Sequence, residues 1–187
     1  MRLILASNSP RRRELLTGLD LNYEVRLMSG IDESYPANLS GEDIPQYIAR
    51  QKAAAYALAP DELLITADTI VYLDGKVMGK PADEAEAEQM LRNLSGRTHQ
   101  VITGVVLTTT TEQRSFASVS HVTFAPLTDE EIHHYVTHYR PMDKAGAYGI
   151  QEWIGFVGVE RLEGSYFNVM GLPVQRLYKE LKQMHAI

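Results

Sequence analysis

The sequence predicts an α/β fold with a mixed sheet, and two observations lead to this class. In the first half of the chain, short apolar strand-like runs alternate with helical patterns, which is typical of parallel strands joined by helices. Two long β-branched runs, 101–109 and 115–124, then follow one another around a polar turn, which is typical of an antiparallel pair. A sheet that contains both arrangements is mixed rather than purely parallel.

The first helix is predicted from its start signals. Pro10 suits the first turn of a helix and Ser9 suits the N-cap. The helix is expected to run to about residue 19, with Leu15, Leu16 and Leu19 as its apolar stripe.

Capping patterns predict three further helices. Ser40, with Asp43 three residues later, resembles a capping box with Asp in the acid position and predicts a helix to about residue 58. Thr128 and Glu131 form a full capping box for a helix through about residue 139. Pro173 opens the last helix.

Apolar runs and turn residues predict the other elements. The apolar, β-branched run 63–73 predicts a central strand, and Asp74-Gly75 predicts a tight hairpin after it. The remaining predicted elements are strands at 2–6, 23–27, 76–78 and 153–162, and a helix at 82–94 that Ser95-Gly96 ends.

Length and composition limit the class of protein. The 187 residues fit one domain, 1–187, either undivided or with two lobes around a cleft. The net charge of −6 disfavours nucleic acid as a partner but not a small anion held by local cations. The absence of cysteine excludes thiol nucleophiles and disulfides, and no apolar stretch is long enough to span a membrane. We therefore expect a cytoplasmic protein without membrane association.

Three arginines stand where a helix start favours acids. Arg11, Arg12 and Arg13 follow Ser9-Pro10, although the N-terminus of a helix carries partial positive charge. One interpretation is an anion site, in which free N–H groups, guanidinium groups and the small Ser7 and Ser9 meet phosphate oxygens. The other is a solvated face whose arginines extend away from the helix start. The arginines alone do not separate the two.

Asp68 breaks the pattern of the apolar run 64–71. Aspartate is depleted in strands, and a buried carboxylate is costly unless it is paired or binds a metal. A satisfied carboxylate at a strand end is the structural alternative. We favour a functional role, because acids near phosphate sites are ligands for hard cations.

Other segments have the composition of ligand-binding loops. Lys80 follows the predicted hairpin and could act as a phosphate counter-charge, although a surface lysine is the simpler interpretation. The loop 143–151 combines small residues with Lys144 and Gln151, which suggests close approach of backbone to a ligand. His134 and His138 have metal-compatible spacing but lack a glutamate base between them, so a polar helix face is preferred.

In order along the chain, these segments resemble the Maf family of nucleotide pyrophosphatases. The resemblance covers nearly the whole chain, and its segments are Ser7 to Leu16, Ala67 to Val71, Gly79-Lys80-Pro81, Leu94 to His99, Asp143 to Gln151, and Gly164-Ser165-Tyr166 leading to Gly171-Leu172-Pro173. It implies a Maf/ITPase-like fold, with a two-lobed mixed twisted sheet flanked by helices around a central cleft, and frequently a homodimer. It also implies hydrolysis of a nucleoside triphosphate to the monophosphate and pyrophosphate with a divalent cation, Mg²⁺ or Mn²⁺.

Three positions bear on the branch of the family. Arg11, Thr69 and Gln151 stand where the 7-methyl-GTP branch tends to carry Trp, Gln and Glu, so this chain resembles the dTTP/UTP branch. An amide such as Gln151 both donates and accepts hydrogen bonds, which suits the O4 and N3–H edge of thymine or uracil.

The resemblance and the residues together predict a mechanism. Asp68 is expected to be the general base for water attack at the α-phosphorus, and Asp68 and Glu33 to hold the cation. The other residues expected to bind or neutralise the substrate are Ser7, Arg11, Arg12, Lys52, Thr69, Lys80, Lys144 and Gln151.

Two alternatives remain at this stage. One is a pyrophosphatase for 7-methyl-GTP or another modified nucleotide. The other is a non-catalytic nucleotide-binding regulator of cell division, which needs the phosphate grip but neither base nor metal.

Overall fold

A computed structural model describes residues 1–187 and contains one seven-stranded mixed sheet. The strands are β1 (Arg2–Leu5), β2 (Tyr23–Val25), β3 (Glu62–Leu73), β4 (Lys76–Met78), β5 (Thr98–Thr108), β6 (Gln113–Phe124) and β7 (Val159–Glu163). Their order is β2-β1-β3-β5-β6-β7, and β4 pairs with β3. The predicted α/β class with a mixed sheet is confirmed.

Seven α-helices accompany the sheet. They are α1 (Pro10–Thr17), α2 (Asp43–Ala54), α3 (Glu84–Leu94), α4 (Asp129–Tyr139), α5 (Trp153–Gly158), α6 (Tyr166–Met170) and α7 (Val174–Gln183), with a 3₁₀ turn at Ala145–Ala147. No helix has both the length and the apolar character that a membrane span requires.

Two compact units divide the chain, and each is described by itself below. Unit 1 comprises Met1–Thr69, Thr103–Ser118 and Gly171–Ile187. Unit 2 comprises Ile70–Ile102 and Val119–Met170.

The parallel part of the sheet lies in unit 1. Strand β1 pairs in parallel with both β2 and β3, so that Leu3 is aligned with Tyr23 on one side and Leu63 on the other. Strand β1 is paired at both edges, and Leu3, Ile4 and Leu5 are buried, as is typical of a parallel sheet whose faces are covered. Ile4 packs in a core cluster that includes residues of α2. This packing fixes the position of β1 and therefore the point from which the following segment starts.

The predicted N-cap of helix α1 is confirmed, and the helix is shorter than predicted. The Ser9 hydroxyl accepts a hydrogen bond from the Arg12 N–H, as an N-cap should. The helix ends at Thr17 instead of residue 19, because the N–H groups of Leu19 and Asp20 bond to carbonyls only three residues earlier and Asp20 adopts a positive φ of 55°. Leu15 and Leu16 are buried, as expected.

The predicted capping box at Ser40 is wrong. Helix α2 begins at Asp43, with Glu42 as its N-cap residue, and no side chain caps the helix N-terminus. Gly41 adopts a left-handed conformation with φ of 52°, which separates the Ser40 side chain from the helix start. Ser40 instead accepts the Asp43 N–H at its backbone carbonyl, 3.2 Å away.

The end of α2 also differs from the prediction of residue 58. The helix stops at Ala54, where the N–H groups of Ala55 and Tyr56 bond to carbonyls only three residues earlier. This tighter turn ends the α-helical pattern. Tyr56 and Leu58 then pack against the core cluster from outside a helix, which explains why their apolar character extended the predicted helix.

The predicted strand at 153–162 is half wrong, because the segment forms α5 and only then β7. Its apolar residues lack a period that separates strand from helix. Gly155 decides the local structure: a Cβ at this position would lie 1.7 Å from the Ile150 carbonyl oxygen. The backbone therefore turns back closely on itself, which an extended strand does not allow.

The hairpin and the second capping box are confirmed in unit 2. Asp74 and Gly75 both have positive φ between β3 and β4, as a tight hairpin requires. Thr128 accepts the Glu131 N–H, and the Glu131 carboxylate accepts the Thr128 N–H, so both halves of the box on α4 are formed.

Candidate functional site

The turn between β1 and α1 brings hydroxyl groups and N–H donors together in unit 1. Ser7 follows the buried strand and is itself buried, while Ser9 is half-buried. The Ser9 N–H donates to the Ser7 hydroxyl oxygen at 3.2 Å. Because Ser9 also caps the Arg12 N–H, the backbone is fixed at a helix N-terminus, where free N–H groups and the helix dipole favour an anion.

The Arg12 guanidinium is anchored within unit 1 at three points. Its Nε donates to the Gly171 carbonyl at 2.8 Å, Nη1 to the Ala67 carbonyl at 3.0 Å, and Nη2 to the Thr69 hydroxyl at 3.0 Å. Burial lowers the pKa of Arg12, and the nearby Asp68 carboxylate acts in the opposite direction. Arg12 therefore ties α1 to the middle of β3 and to the segment before α7.

The Thr69 hydroxyl, predicted to bind substrate, is engaged by the protein itself. It lies 2.9 Å from the Thr103 hydroxyl and 3.4 Å from the Gly171 carbonyl, in addition to its contact with Arg12. Thr103 is fully buried and was not predicted as a site residue. Its one sequence signal is a polar residue inside the apolar run of β5.

The other two arginines of the turn have different surroundings. Arg11 is half-buried, and its charge lowers the pKa of Arg12 further. Arg13 is half-buried, and its Nε lies 3.4 Å from the Ser7 carbonyl. The arginine run thus does not simply extend into solvent, because Arg12 and Arg13 both bond to backbone carbonyls around the turn.

Lys52, Asp68 and Glu33 form an ion-pair cluster in unit 1. Lys52 reaches from the last turn of α2, and its Nζ lies 2.9 Å from Asp68 Oδ1 and 3.1 Å from Glu33 Oε1. The Lys52 and Asp68 side chains are each 14% exposed and that of Glu33 is 57% exposed. The sequence-predicted Asp68, Glu33 and Lys52 are thus brought together, with a single cation between two carboxylates.

This cluster fits a divalent cation that protein and substrate hold jointly. Mg²⁺ is commonly bound through one or two carboxylates together with phosphate oxygens, whereas an all-protein site needs more ligands. Asp68 and Glu33 supply two carboxylates with a surplus of negative charge over Lys52. No group of three or more His, Asp or Glu side chains at metal-binding spacing is present, and His134 and His138 are exposed on α4, with the His134 ring against Trp153.

In unit 2, the glycine-rich loop 143–151 is joined to the segment that carries Lys80. The Gly146 N–H donates to the Gly79 carbonyl at 3.1 Å. Gly146 has φ of 68°, and a Cβ there would lie 3.0 Å from the Val71 side chain, so the position favours glycine. Lys80 itself is exposed.

Lys144 is buried in unit 2 between two carboxylates. Its Nζ lies 3.0 Å from Asp143 Oδ1 and 3.1 Å from Glu152 Oε1. Gly149 packs so closely on Lys144 that a Cβ would lie 2.9 Å from Lys144 Cε. The lysine predicted to bind substrate therefore also closes the loop by joining its start to the residue after its end.

Gln151 is half-buried at the end of the same loop, and its Oε1 is a buried acceptor without a hydrogen-bond partner in the protein. Buried polar atoms are nearly always satisfied, so an unsatisfied one needs an explanation such as a ligand. The position that was predicted to contact the base thus carries a free acceptor.

Sequence reasoning missed Tyr135 and Glu152 in unit 2. The fully buried Tyr135 hydroxyl donates to Glu152 Oε2 and accepts the Gly149 N–H at 3.0 Å. The available signal was a tyrosine on the apolar face of α4, since a buried tyrosine usually needs a partner for its hydroxyl.

Comparison with known proteins identifies the family of the chain. A family model described as Maf-like protein matches residues 2–184. A protein of Phocaeicola vulgatus named dTTP/UTP pyrophosphatase is 66% identical over 98% of this chain and 96% of its own length. A protein of the same name from Flavobacterium psychrophilum is 46% identical over 95% of this chain and 91% of its own length.

A solved structure shares the fold at low sequence identity. The Staphylococcus aureus Ham1 protein superposes with a TM-score of 0.50 over 67% of this chain and 72% of its own, at 18% identity. This similarity concerns the fold alone.

Proposed function

This chain belongs to the Maf-like protein family, and from that premise we propose that it hydrolyses dTTP and UTP to the monophosphate and pyrophosphate. The Lys52–Asp68–Glu33 cluster is the observation that carries the proposal. A nucleotide-binding protein without chemistry has no need for two partly accessible carboxylates that share one ammonium group. The names of the relatives from Phocaeicola vulgatus and Flavobacterium psychrophilum support the substrate class.

The turn before α1 receives the phosphate groups in this proposal. The Ser7 hydroxyl, the N–H groups of the helix start and Arg11 surround the anion, as helix N-termini commonly do. A guanidinium has five N–H donors, and three bonds of Arg12 to the protein leave two for phosphate oxygens. Because Thr69 holds Arg12, we assign its contribution to the orientation of that side chain.

Asp68 is the proposed general base. Its contact with Lys52 uses Oδ1, so we assign Oδ2 to the attacking water. The water oxygen bonds to the α-phosphorus, its proton passes to the Asp68 carboxylate, and the bond from the α-phosphorus to the bridging oxygen breaks with that electron pair leaving on pyrophosphate. Lys52 and Lys80 offset the negative charge of the triphosphate and of the leaving group.

Asp68 and Glu33 would hold the divalent cation, which when bound supplies charge neutralisation and polarises water. Two of the protein residues have a further task in this proposal. Lys52 holds the two carboxylates in place, and Asp68 takes up the proton.

Gln151 is the proposed contact to the base. Its unsatisfied Oε1 accepts the N3–H of uracil or thymine while its amide NH₂ donates to O4. Lys144 lies in the same loop and contributes positive charge to substrate binding. The cytoplasmic location and the homodimer stay predictions.

A pyrophosphate-release assay over a nucleotide panel tests the proposal. The panel contains dTTP, UTP, CTP, GTP and 7-methyl-GTP, each with Mg²⁺, with Mn²⁺ and with chelator. We expect release from dTTP and UTP that chelator abolishes. Release from 7-methyl-GTP alone would assign the chain to the other branch, and binding without release from any nucleotide would favour the non-catalytic regulator.

A further inference from the structure

One buried hydroxyl in unit 2 holds both sides of the Gln151 segment. The Tyr135 hydroxyl accepts the N–H of Gly149, two residues before Gln151, and donates to the carboxylate of Glu152, the residue after it. The Glu152 N–H also donates to the Gly149 carbonyl at 3.0 Å. The segment is thus a short turn whose two ends converge on a single atom of α4.

The same network includes Lys144. Its ammonium group forms an ion pair with the Glu152 carboxylate, with Nζ 3.1 Å from Oε1, so that carboxylate contacts both the tyrosine hydroxyl and the lysine. Burial, followed by the Glu152 carboxylate, raises the pKa of Tyr135. The phenol therefore remains a proton donor toward Glu152 at neutral pH and above.

We propose that Tyr135 is a positioning residue that fixes the Gly149–Glu152 turn so that the Gln151 amide faces the substrate base in one orientation. The inference rests on the proposed function, in which Gln151 contacts the base. Displacements of about 1 Å are enough to weaken such a contact strongly.

If Tyr135 acted through packing alone, only its aromatic ring would matter and its hydroxyl group would not. The Tyr135 ring stacks on Tyr139, with ring centroids 5.2 Å apart and an interplanar angle of 24°. Phenylalanine would keep that ring and the burial, and would remove only the oxygen that joins Gly149 to Glu152. Tyr135→Phe therefore separates the hydroxyl from the ring.

Base selectivity is the measurement that reports on positioning. Uracil presents O4 and N3–H, whereas cytosine presents an amine and N3, so an amide held in one orientation favours UTP over CTP. An amide free to turn serves both. The ratio of kcat/KM for UTP to that for CTP does not depend on the folded fraction of enzyme, so loss of stability leaves it unchanged.

The experiment compares Tyr135→Phe with Tyr139→Phe, a matched control on the same helix whose side chain is partly exposed. For Tyr135→Phe we expect KM for UTP to rise roughly 5- to 20-fold with kcat within about twofold, as for loss of an interaction made equally in ground and transition states. The UTP-to-CTP ratio is expected to fall by a similar factor. Tyr139→Phe should match the wild type.

A second variant tests the same hydrogen bond in case Tyr135→Phe does not fold. Glu152→Gln keeps an acceptor for Tyr135 and weakens the bond, so it should lower the same ratio by a smaller factor. An unchanged ratio in the folded variants would overturn the inference while leaving the proposed function intact.

A wild-type enzyme that releases no pyrophosphate would instead overturn the proposed function. Calorimetric Kd values for UTP and CTP then give the selectivity ratio for wild type and variants. The inference survives if Tyr135→Phe lowers that ratio, and it fails if the wild type shows no preference for UTP or the variant retains it.

Discussion

Two ion-pair clusters of unit 1 share strand β3 and differ in what stands at their centre. One surrounds Glu62, the first residue of the strand, and the other contains Asp68, farther along it. In the first, a carboxylate is surrounded by cations. In the second, a cation is surrounded by carboxylates.

The Glu62 cluster is saturated. Its carboxylate accepts Arg2 Nη2 at 2.6 Å, Arg26 Nη2 at 2.8 Å and Nη1 at 3.1 Å, and the Ala59 N–H at 2.9 Å. The side chain is 4% exposed. The hydrogen bond from Arg26 is the largest cause, and with the Ala59 N–H and the charges of Arg26 and Arg2 it lowers the pKa of Glu62 to about 2.

The Asp68 cluster is unsaturated by comparison. Lys52 divides one ammonium group between Asp68 and the mostly exposed Glu33. The surplus negative charge is what a divalent cation with its triphosphate can use. In our proposal the fully satisfied Glu62 cluster is structural, and the Asp68 cluster, which contains a 57% exposed carboxylate, is functional.

The largest expected effect comes from Asp68→Asn. The amide preserves shape but cannot take up the proton, so kcat should fall roughly 10²- to 10⁴-fold, as for loss of a general base. Nucleotide binding should survive, because the turn before α1 and Lys52 remain, and the protein should stay folded because Lys52 keeps its contact with Glu33. Steady-state kinetics, calorimetric binding and a thermal melt of the same preparation check this, and turnover close to wild type would remove Asp68 from the mechanism.

Arg12→Lys tests whether Arg12 both stabilises the fold and binds phosphate, as we propose. Lysine keeps the charge but loses the planar fork that bonds to Gly171, Ala67 and Thr69. We expect stability to fall by about 1–3 kcal/mol because buried carbonyls lose donors, and KM to rise roughly tenfold. Denaturant unfolding and kinetics measure the two effects, and a change in KM alone would make Arg12 only a substrate ligand.

Glu62→Gln should affect stability without affecting turnover. It leaves Arg2 and Arg26 facing a neutral amide, so the Tm should drop by several degrees at pH 7. The kcat and KM of the folded fraction should equal those of the wild type. A loss of activity as large as that in Asp68→Asn would end the distinction between the two clusters.

The smallest expected effect is the acid dependence of stability. The pKa of Glu62 is lower in the folded state, so the unfolded chain binds more protons in this range. The contribution of Glu62 to the free energy of unfolding is therefore lost as pH falls from about 4.5 toward about 2. Burial lowers the pKa of His99 to about 4. The stability that neutral His99 contributes is therefore lost as pH falls from about 6.5 to about 4. The stabilities of wild type and Glu62→Gln, measured by denaturant melts, should converge as pH falls from about 4.5 toward about 2, and parallel curves would contradict the assignment.

The two clusters also show what sequence can reveal. Asp68 was predicted because a carboxylate inside an apolar run breaks a local pattern. Glu62 was missed because it stands at the edge of such a run, and its partner Arg2 becomes adjacent only through the parallel register of β1 and β3. Departures from local propensity are visible in a sequence, whereas pairings between distant segments depend on the fold.

The same limit applies to the other errors and omissions. The capping box at Ser40 failed because the left-handed turn at Gly41 moved its side chain away from the helix. Tyr135 was overlooked because its partners Gly149 and Glu152 lie on a later loop. The class of fold, by contrast, was predictable because strong local patterns mark its strands and helices.

The bond from Arg12 to Gly171 sets an order of events during synthesis. Arg12 leaves the ribosome early, but the carbonyl that fixes its Nε belongs to a residue 159 positions later. Until that segment has emerged, the arginine side chain lacks one of its three anchors. A nascent chain can therefore complete the turn between β1 and α1 only after Gly171 has been synthesised.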